Sequence, residues 1–338
     1  MVALRTLRNS VILVGLTVVG ACGPGAPSPT PDPPDPIVFQ TTVRIVSALN
    51  RELGLPQVTL VANGREQQTD GTGLSVIQAE SPATVSLRLR HPAFLERETS
   101  VRVPDDRPVE LSLIPLTHDL AAFEEFSPRA AGLQRWTRNP RLLLLSHAVD
   151  FSGATLGFRE FPVINRPISR TQLDCLAAGI GASLAELSGG HLSWTSVDIG
   201  EVEPGTRFRT DETPEGTIAL LMSVSLGTAG RGTGYVGTEP FILTRGAIWL
   251  SAEMIDFCLT SLLYRHELGH ALGYQHVTRT VSFMGSVGLP PTLTDFDRHS
   301  IAILFQRRPG NRLPDRDPSG VSVNITGSGA RHNVEPMR

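Results

Sequence analysis

The chain has 338 residues, of which 40% are hydrophobic and 19% are charged, and its formal net charge is −3. This length suggests about two modest domains, and the balanced charge argues against nucleic acid as the main partner. All 30 basic residues are arginine, which excludes Schiff-base, pyridoxal phosphate and phosphate-loop chemistry that depends on lysine.

The first 21 residues have the pattern of an export signal. Two arginines precede a short apolar run over 11–19, which is too short for a permanent membrane helix. The following Val19-Gly20-Ala21-Cys22 resembles the lipobox of bacterial lipoproteins. The resemblance implies that Cys22 is lipidated and anchors the protein to a membrane outside the cytoplasm, the outer one if the host has two. The alternative is an ordinary signal peptide with an incidental cysteine.

Residues 22–36 form a linker in which 24–36 alone hold seven prolines. Such a segment cannot bury a core and is stiffened toward an extended conformation. We therefore expect a spacer between Cys22 and the folded part of the chain.

Residues 37–116 carry short segments in which apolar and polar residues alternate, as over 42–46, 85–89 and 109–113. This period predicts strands with one buried face, and Asn63-Gly64 is a strong hairpin signal between strands. Six or seven such strands predict a small antiparallel β-sandwich. Its pattern around Thr69-Asp70-Gly71 and His91-Pro92-Ala93-Phe94 resembles carboxypeptidase-regulatory-type modules.

The pattern changes over 117–308 to a mixture of strands and helices, which predicts an α+β domain. The predicted strands are 141–146, 193–197, 217–224 and 247–250, and the predicted helices are 171–187, 255–272 and 294–306. Ser169 with Gln172 and Thr294 with Asp297 are expected to cap the first and the last of these helices. Residues 309–338 are polar and contain Gly and Pro, which favours a disordered tail.

The most informative pattern is His266-Glu267-Leu268-Gly269-His270, followed by Gly273 and His276. Histidines four apart on a helix lie on one face, so both imidazoles can reach one Zn²⁺ ion. Gly273 can end the helix in a left-handed conformation, which lets His276 return as a third ligand. Three protein ligands leave the fourth position to water, as in catalytic zinc sites, and Glu267 is then the general base. A metal-free helix with histidines on a buried face is the alternative, which the joint spacing disfavours.

This extended motif resembles the metzincin clan of zinc endopeptidases. That clan has a methionine turn beneath the zinc, and Met284 in Ser282-Phe283-Met284-Gly285 follows His276 at a suitable distance. Residues 293–305 resemble the final helix of matrixin-type members, and the tyrosine that follows the methionine in astacins and serralysins is missing. The resemblance implies a matrixin-like catalytic domain, one catalytic zinc ion and a protein or peptide substrate.

In metzincins the substrate pairs with an edge strand that precedes the zinc helix, and 241–243 or 247–250 are the alternatives here. Residues 287–291 are expected to form the specificity wall. The glycine-rich stretch 227–237 lacks a phosphate-loop lysine, and we interpret it as a mobile loop.

Two further features leave alternatives open. Cys175 and Cys258 fall on two predicted helices, where they could form a disulfide or stay as buried thiols. Loop acids such as Asp211 and Glu212 could hold a structural Ca²⁺ ion, but no ligand spacing supports such a site.

The leading hypothesis is a membrane-anchored zinc endopeptidase. The rival is a surface binding lipoprotein in which the metalloprotease domain is degenerate, and the intact Glu267 argues against it. A protease that acts on itself or on one companion protein is a third hypothesis.

Overall fold

The computed structural model describes residues 38–155, 157–253, 261–286 and 288–319. The predicted export signal, Cys22, the linker, Cys258 and residues 320–338 of the predicted tail lie outside these residues. Within the described part of the chain, no helix is both long and apolar enough to cross a membrane.

Two four-stranded sheets form the N-terminal region. Their strands are β1 (Phe39–Ser47), β2 (Asn50–Gly54), β3 (Thr59–Ala62), β4 (Arg65–Gln68), β5 (Leu74–Ala79), β6 (Ala83–Arg90), β7 (Arg97–Val103) and β8 (Val109–Leu113). Strand β1 pairs with β2, β5 and β8, and the other sheet has the order β4-β3-β6-β7. The alternating apolar residues of both sheets meet in one core that includes Val43, Leu60 and Val101.

Two details of this region differ from the sequence prediction. Eight strands are present among the described residues rather than six or seven, and β8 runs parallel to β1 instead of antiparallel. After β7 the chain crosses from one sheet to the other. There β8 lies beside β1 and runs in the same direction. The hairpin signal at Asn63-Gly64 does join β3 and β4, and both residues adopt positive φ angles of 50° and 75°.

The second region is built around a nine-stranded mixed sheet. Its strands are β9 (Arg135–Trp136), β10 (Arg141–Leu145), β11 (His147–Asp150), β12 (Glu160–Pro167), β13 (Val197–Gly200), β14 (Arg207–Arg209), β15 (Thr217–Val224), β16 (Gly230–Val236) and β17 (Ile242–Ser251). Strands β10 and β11 lie along one side of β15, and β17 lies along the other. Strand β16 runs antiparallel to β17.

Four helices pack against these strands in the described residues: α1 (Leu120–Phe126), α2 (Arg170–Leu187), α3 (Ser261–Ala271) and α4 (Asp295–Phe305). The capping boxes expected for α2 and α4 are present, at Ser169 with Gln172 and at Thr294 with Asp297. The fold is thus mixed, with more strand than helix, which is consistent with the α+β prediction. The predicted start of the zinc helix at 255–260 lies outside the described residues.

The strand predicted at 193–197 is wrong, because β13 begins only at Val197. The alternation that suggested a strand has another cause. Leu192 is buried in the core, and the indole of Trp194 packs against α2, donating to the carbonyl of Ile180 at 3.3 Å.

The prediction of a disordered tail from residue 309 is wrong for 309–317, which we call the C-terminal segment. Asp315 forms an ion pair with Arg307 at 2.7 Å, and Asp317 forms one with Arg97 of β7 at 2.7 Å. All four side chains are buried, and the segment also exchanges backbone hydrogen bonds with Glu98. The polar composition suggested solvent exposure because the partners lie far away in sequence. Through these contacts the described residues form one compact unit.

Candidate metal centre

The three predicted histidine ligands lie together at the end of α3. His266 and His270 share one face of the helix, and Gly273 ends it with a φ of +99°, so that the chain turns back through His276. The Nε2 atom of His276 lies 3.1 Å from the Nε2 atoms of both other histidines. Among the described residues, these three are the one group of three or more His, Cys, Asp or Glu side chains placed to share an ion.

Backbone carbonyls fix the tautomers of two of these rings. Nδ1 of His266 lies 2.8 Å from the carbonyl oxygen of Phe283, and Nδ1 of His270 lies 2.8 Å from that of Tyr274. Because a carbonyl only accepts, Nδ1 carries the proton in both rings, and Nε2 presents a lone pair. The Nε2 lone pairs of His266 and His270 therefore both face Nε2 of His276. That nitrogen carries at most one proton, so it can donate a full hydrogen bond to only one of them.

Burial favours the neutral form of two of the imidazoles, His266 and His270. Burial lowers the pKa of His266, and burial together with the nearby His266 lowers the pKa of His270 to about 4. Neutral imidazoles are the form that binds metal at neutral pH.

The donor set fits a zinc ion. The two nitrogen pairs that include His276 are each 3.1 Å apart. Nitrogens at this distance that share an ion at about 2.0–2.1 Å subtend roughly 100° at it, close to tetrahedral. Two of the ligands donate their other ring nitrogen to a backbone carbonyl, which is the usual second contact of a metal-binding histidine. His266 is 6% exposed, whereas His276 is exposed, so one side of the group opens to solvent.

The side chain of Glu267 extends from α3 toward strand β16. It is 5% exposed, and burial raises its pKa to about 8, partly offset by the charge of Arg231. A Cβ built on Gly230 would lie 2.8 Å from Oε1 of Glu267, so the carboxylate is adjacent to the backbone of β16. A cation held by the imidazoles would favour the charged carboxylate and lower this pKa.

The interpretation of 227–237 as a mobile loop is wrong, because most of it forms β16. Gly230, Gly232 and Gly234 alternate along the strand on the side that faces α3. A Cβ at Gly232 would lie 2.0 Å from the backbone oxygen of Glu267. Glycine thus lets the strand approach the backbone of α3 directly.

The same observation corrects the expected substrate strand. Residues 242–243 and 247–250 both belong to β17, whose neighbours are β9 and β15 on one side and β16 on the other. Among the described residues β16 pairs with β17 alone, so β16 is the edge strand beside the histidines.

Met284, the residue predicted for a methionine turn, lies beneath α3. It is fully buried, and a Cβ built on Gly269 would lie 2.5 Å from its sulfur atom. The turn is held by Asp297 of α4, whose carboxylate accepts from the hydroxyl of Ser282 at 2.5 Å and from the amide of Phe283 at 3.1 Å. Since the carbonyl of Phe283 also accepts from His266, Asp297 supports that histidine through one intervening residue.

Sequence reasoning identified Asp297 only as a helix cap and missed this second role. It also missed Glu125 of α1, whose carboxylate binds the loop that follows His276. Neither contact has a local sequence signal, because each joins segments that are distant along the chain.

Other predicted sites are occupied by local contacts or lie partly outside the described residues. Asp211 and Glu212, the acids considered for calcium, both form ion pairs with Arg209. Cys175 is disulfide-bonded, but Cys258 is not among the described residues, so their pairing remains a prediction. In the expected specificity wall, Val287 is likewise not described, and the carbonyl of Pro291 accepts from Arg265 at 3.4 Å.

No protein-family model matches the chain, and no curated protein matches it. Among solved structures, metalloproteinase-II from Bacteroides fragilis is similar at 14% sequence identity, over 75% of this chain and 80% of that chain, with a TM-score of 0.25. A similarity of this size does not establish a shared fold.

Proposed function

We propose that this chain is a zinc-dependent endopeptidase of the matrixin-like metzincin type. The observation that carries the proposal is the convergence of three imidazole nitrogens beside a buried glutamate and an edge strand. His266, His270 and His276 would hold the zinc ion, with Met284 as the apolar floor beneath them.

Glu267 and strand β16 have separate roles in the proposed hydrolysis. When bound, the ion would supply a Lewis acid that polarises a peptide carbonyl and increases the acidity of a water molecule. Glu267 takes the proton from the attacking water and returns it to the amide nitrogen that leaves, so that one water is consumed for each peptide bond broken. The open backbone edge of β16 binds the substrate as an added strand and aligns the scissile bond with Glu267.

Replacement of Glu267 by Gln tests this proposal. The full chain, loaded with zinc, is assayed on casein and on a peptide library, with and without a chelator. We expect wild-type activity to disappear on chelation and to return with zinc. Because Gln cannot accept the proton, E267Q should lose activity by roughly 10²–10⁴-fold while it still binds one zinc ion.

The matched control is Glu186→Gln, which alters an exposed carboxylate on α2 that pairs with Arg265. Its activity should equal that of the wild type. Full activity in E267Q would refute the assigned role of Glu267. A wild-type protein that binds zinc and cleaves neither casein nor the library would favour the degenerate, partner-binding lipoprotein instead.

We also propose that the protein is anchored outside the cytoplasm by lipid on Cys22 and that its substrate is a protein or peptide. The support is the sequence of residues 1–36. In a bacterial host, Cys22→Ser should abolish incorporation of labelled fatty acid and move the protein from the membrane to the soluble fraction. Unchanged labelling and fractionation would contradict the anchor and leave the proposed chemistry untouched.

A further inference from the structure

The loop that carries His276 is held by α1, which lies 150 residues earlier in the chain. Oε2 of Glu125 accepts from the amide of Thr278 at 2.6 Å and from that of Arg279 at 3.2 Å. The guanidinium of Arg279 adds an ion pair to Oε1 at 3.2 Å, and the Thr278 hydroxyl also donates to the carboxylate. One carboxylate thus binds both Thr278 and Arg279, which follow His276 by two and three positions.

The residues on either side of His276 are fixed as well. The amide of Gln275 donates to the carbonyl of Phe126, the last residue of α1, at 2.9 Å. The amide of Val277 donates to the carbonyl of Met284 at 2.9 Å. Backbone contacts to α1 and to the methionine turn therefore surround the third histidine.

These contacts matter most for His276 because its ring is exposed. His266 and His270 lie on a helix, and a backbone carbonyl fixes each ring through Nδ1. His276 lies outside any helix or strand, so the position of its Nε2 atom depends on how its loop is held.

Helix α1 is itself firmly seated. Asp119 caps its first turn by accepting from the amide of Ala122 at 2.9 Å. The buried Phe126 ring stacks on the ring of Tyr274, with centroids 4.6 Å apart. Since Tyr274 is the residue that accepts from His270, α1 contacts the backbone around two of the three histidines.

We propose that Glu125 is a positioning residue for the third metal ligand. Its carboxylate fixes the backbone of residues 278 and 279 and thereby holds Nε2 of His276 in line with the other two imidazoles. This inference rests on the proposed function in one respect, namely that the three imidazoles hold a zinc ion.

The test compares Glu125→Ala with Glu125→Gln and with a distant control. Gln keeps an oxygen that can accept from both amides, so E125Q should restore most of what E125A loses. The control is Asp70→Ala, because Asp70 also accepts from two amides and a threonine hydroxyl, in a turn of the N-terminal sandwich. Both alanine variants remove a carboxylate that organises a turn, but only one of the turns adjoins a histidine of the site.

Two readouts are made on the full chain. Amide hydrogen exchange on the metal-free protein reports directly on the loop, and E125A should increase exchange at Thr278 and Arg279. Zinc affinity, measured by competition with a chelator, should fall about 10–100-fold in E125A, as is usual for residues that support metal ligands, and Co²⁺-loaded E125A should show an altered visible absorption spectrum. D70A should match the wild type in zinc affinity and cobalt spectrum.

The outcomes separate the two proposals. Faster exchange in E125A with unchanged zinc affinity and cobalt spectrum would reduce Glu125 to a local structural role and overturn this inference alone. A wild-type protein that binds no zinc would overturn the proposed function, and this inference with it. If E125A fails to fold, Glu125→Asp replaces it, because Asp keeps the charge but is shorter by one methylene. Zinc affinity and the cobalt spectrum of E125D then test the inference in the same way.

Discussion

Substitution of Gly232 by Ala should separate β16 from α3. A Cβ at this position would lie 2.0 Å from the backbone oxygen of Glu267 and 2.9 Å from Cβ of His270. Real Cβ atoms essentially never come closer than 3.0 Å to such neighbours, and neither contact is with a flexible side-chain end. Strand and helix must therefore move apart by about 1 Å, which displaces the proposed general base and one proposed ligand together.

The expected cost follows from this displacement. Overpacking of this kind costs about 3 kcal/mol, which at roughly 2–4 °C per kcal/mol corresponds to a decrease in Tm of about 6–12 °C. A displacement of about 1 Å at reacting groups lowers catalytic activity roughly 10²-fold. Thermal unfolding, zinc affinity and peptide cleavage measure the three effects.

A graded series of glycines provides the controls. At Gly234 a Cβ would meet the Ala271 oxygen at 3.0 Å, so G234A should have a smaller effect than G232A. At Gly71 in the sandwich a Cβ would meet nothing within 4 Å, so G71A should resemble the wild type. Wild-type stability and zinc affinity in G232A would refute the packing of β16 on α3 and restore the mobile-loop interpretation.

Three further predictions concern stability and the support of the site. Asp297→Asn should weaken zinc binding about 10–100-fold in chelator competition. The control Asp295→Asn alters an exposed ion pair and should leave zinc affinity unchanged, and equal affinities of the two variants would refute the role of Asp297 in supporting His266. Burial lowers the pKa of His118 to about 4, so the unfolded state binds more protons between about pH 6.5 and pH 4. The contribution of His118 to the free energy of unfolding should therefore fall by about 3 kcal/mol as pH decreases through this window. Urea titrations at several pH values should show a flatter pH dependence for His118→Gln than for the wild type, and an equally steep dependence would count against the neutral, buried ring. Asp317→Ala leaves the Arg97 guanidinium buried without its ion-pair partner and should cost about 3–5 kcal/mol in urea unfolding, and a loss below 1 kcal/mol would contradict the importance of this pair.

The sequence predicted the parts of the site that lie close together along the chain. His266, Glu267, His270 and His276 fall within eleven residues, so helix geometry and one glycine turn suffice to bring them together. Met284 was predicted from the resemblance to the metzincin clan, because its position alone carries no such signal.

The parts that were missed depend on contacts between distant segments. Glu125 and Asp297 looked like an ordinary surface acid and a helix cap, because their partners are identified only by the tertiary fold. The strand β16 did leave a signal, since glycines at 230, 232 and 234 have the period of a strand. That period was overlooked because glycine-rich composition is more often associated with flexible loops.

The pairing of Arg97 with Asp317 has a consequence for the order in which the protein is completed. The two residues are 220 positions apart, so a ribosome adding residues one by one releases the strand with Arg97 long before its acidic partner exists. Until then the guanidinium must stay hydrated, which opposes closure of the neighbouring strands over it. Maturation of the N-terminal region is thereby tied to synthesis of the far end of the chain, and a nascent polypeptide stopped just before residue 315 is an unfinished sandwich as well as a shortened chain.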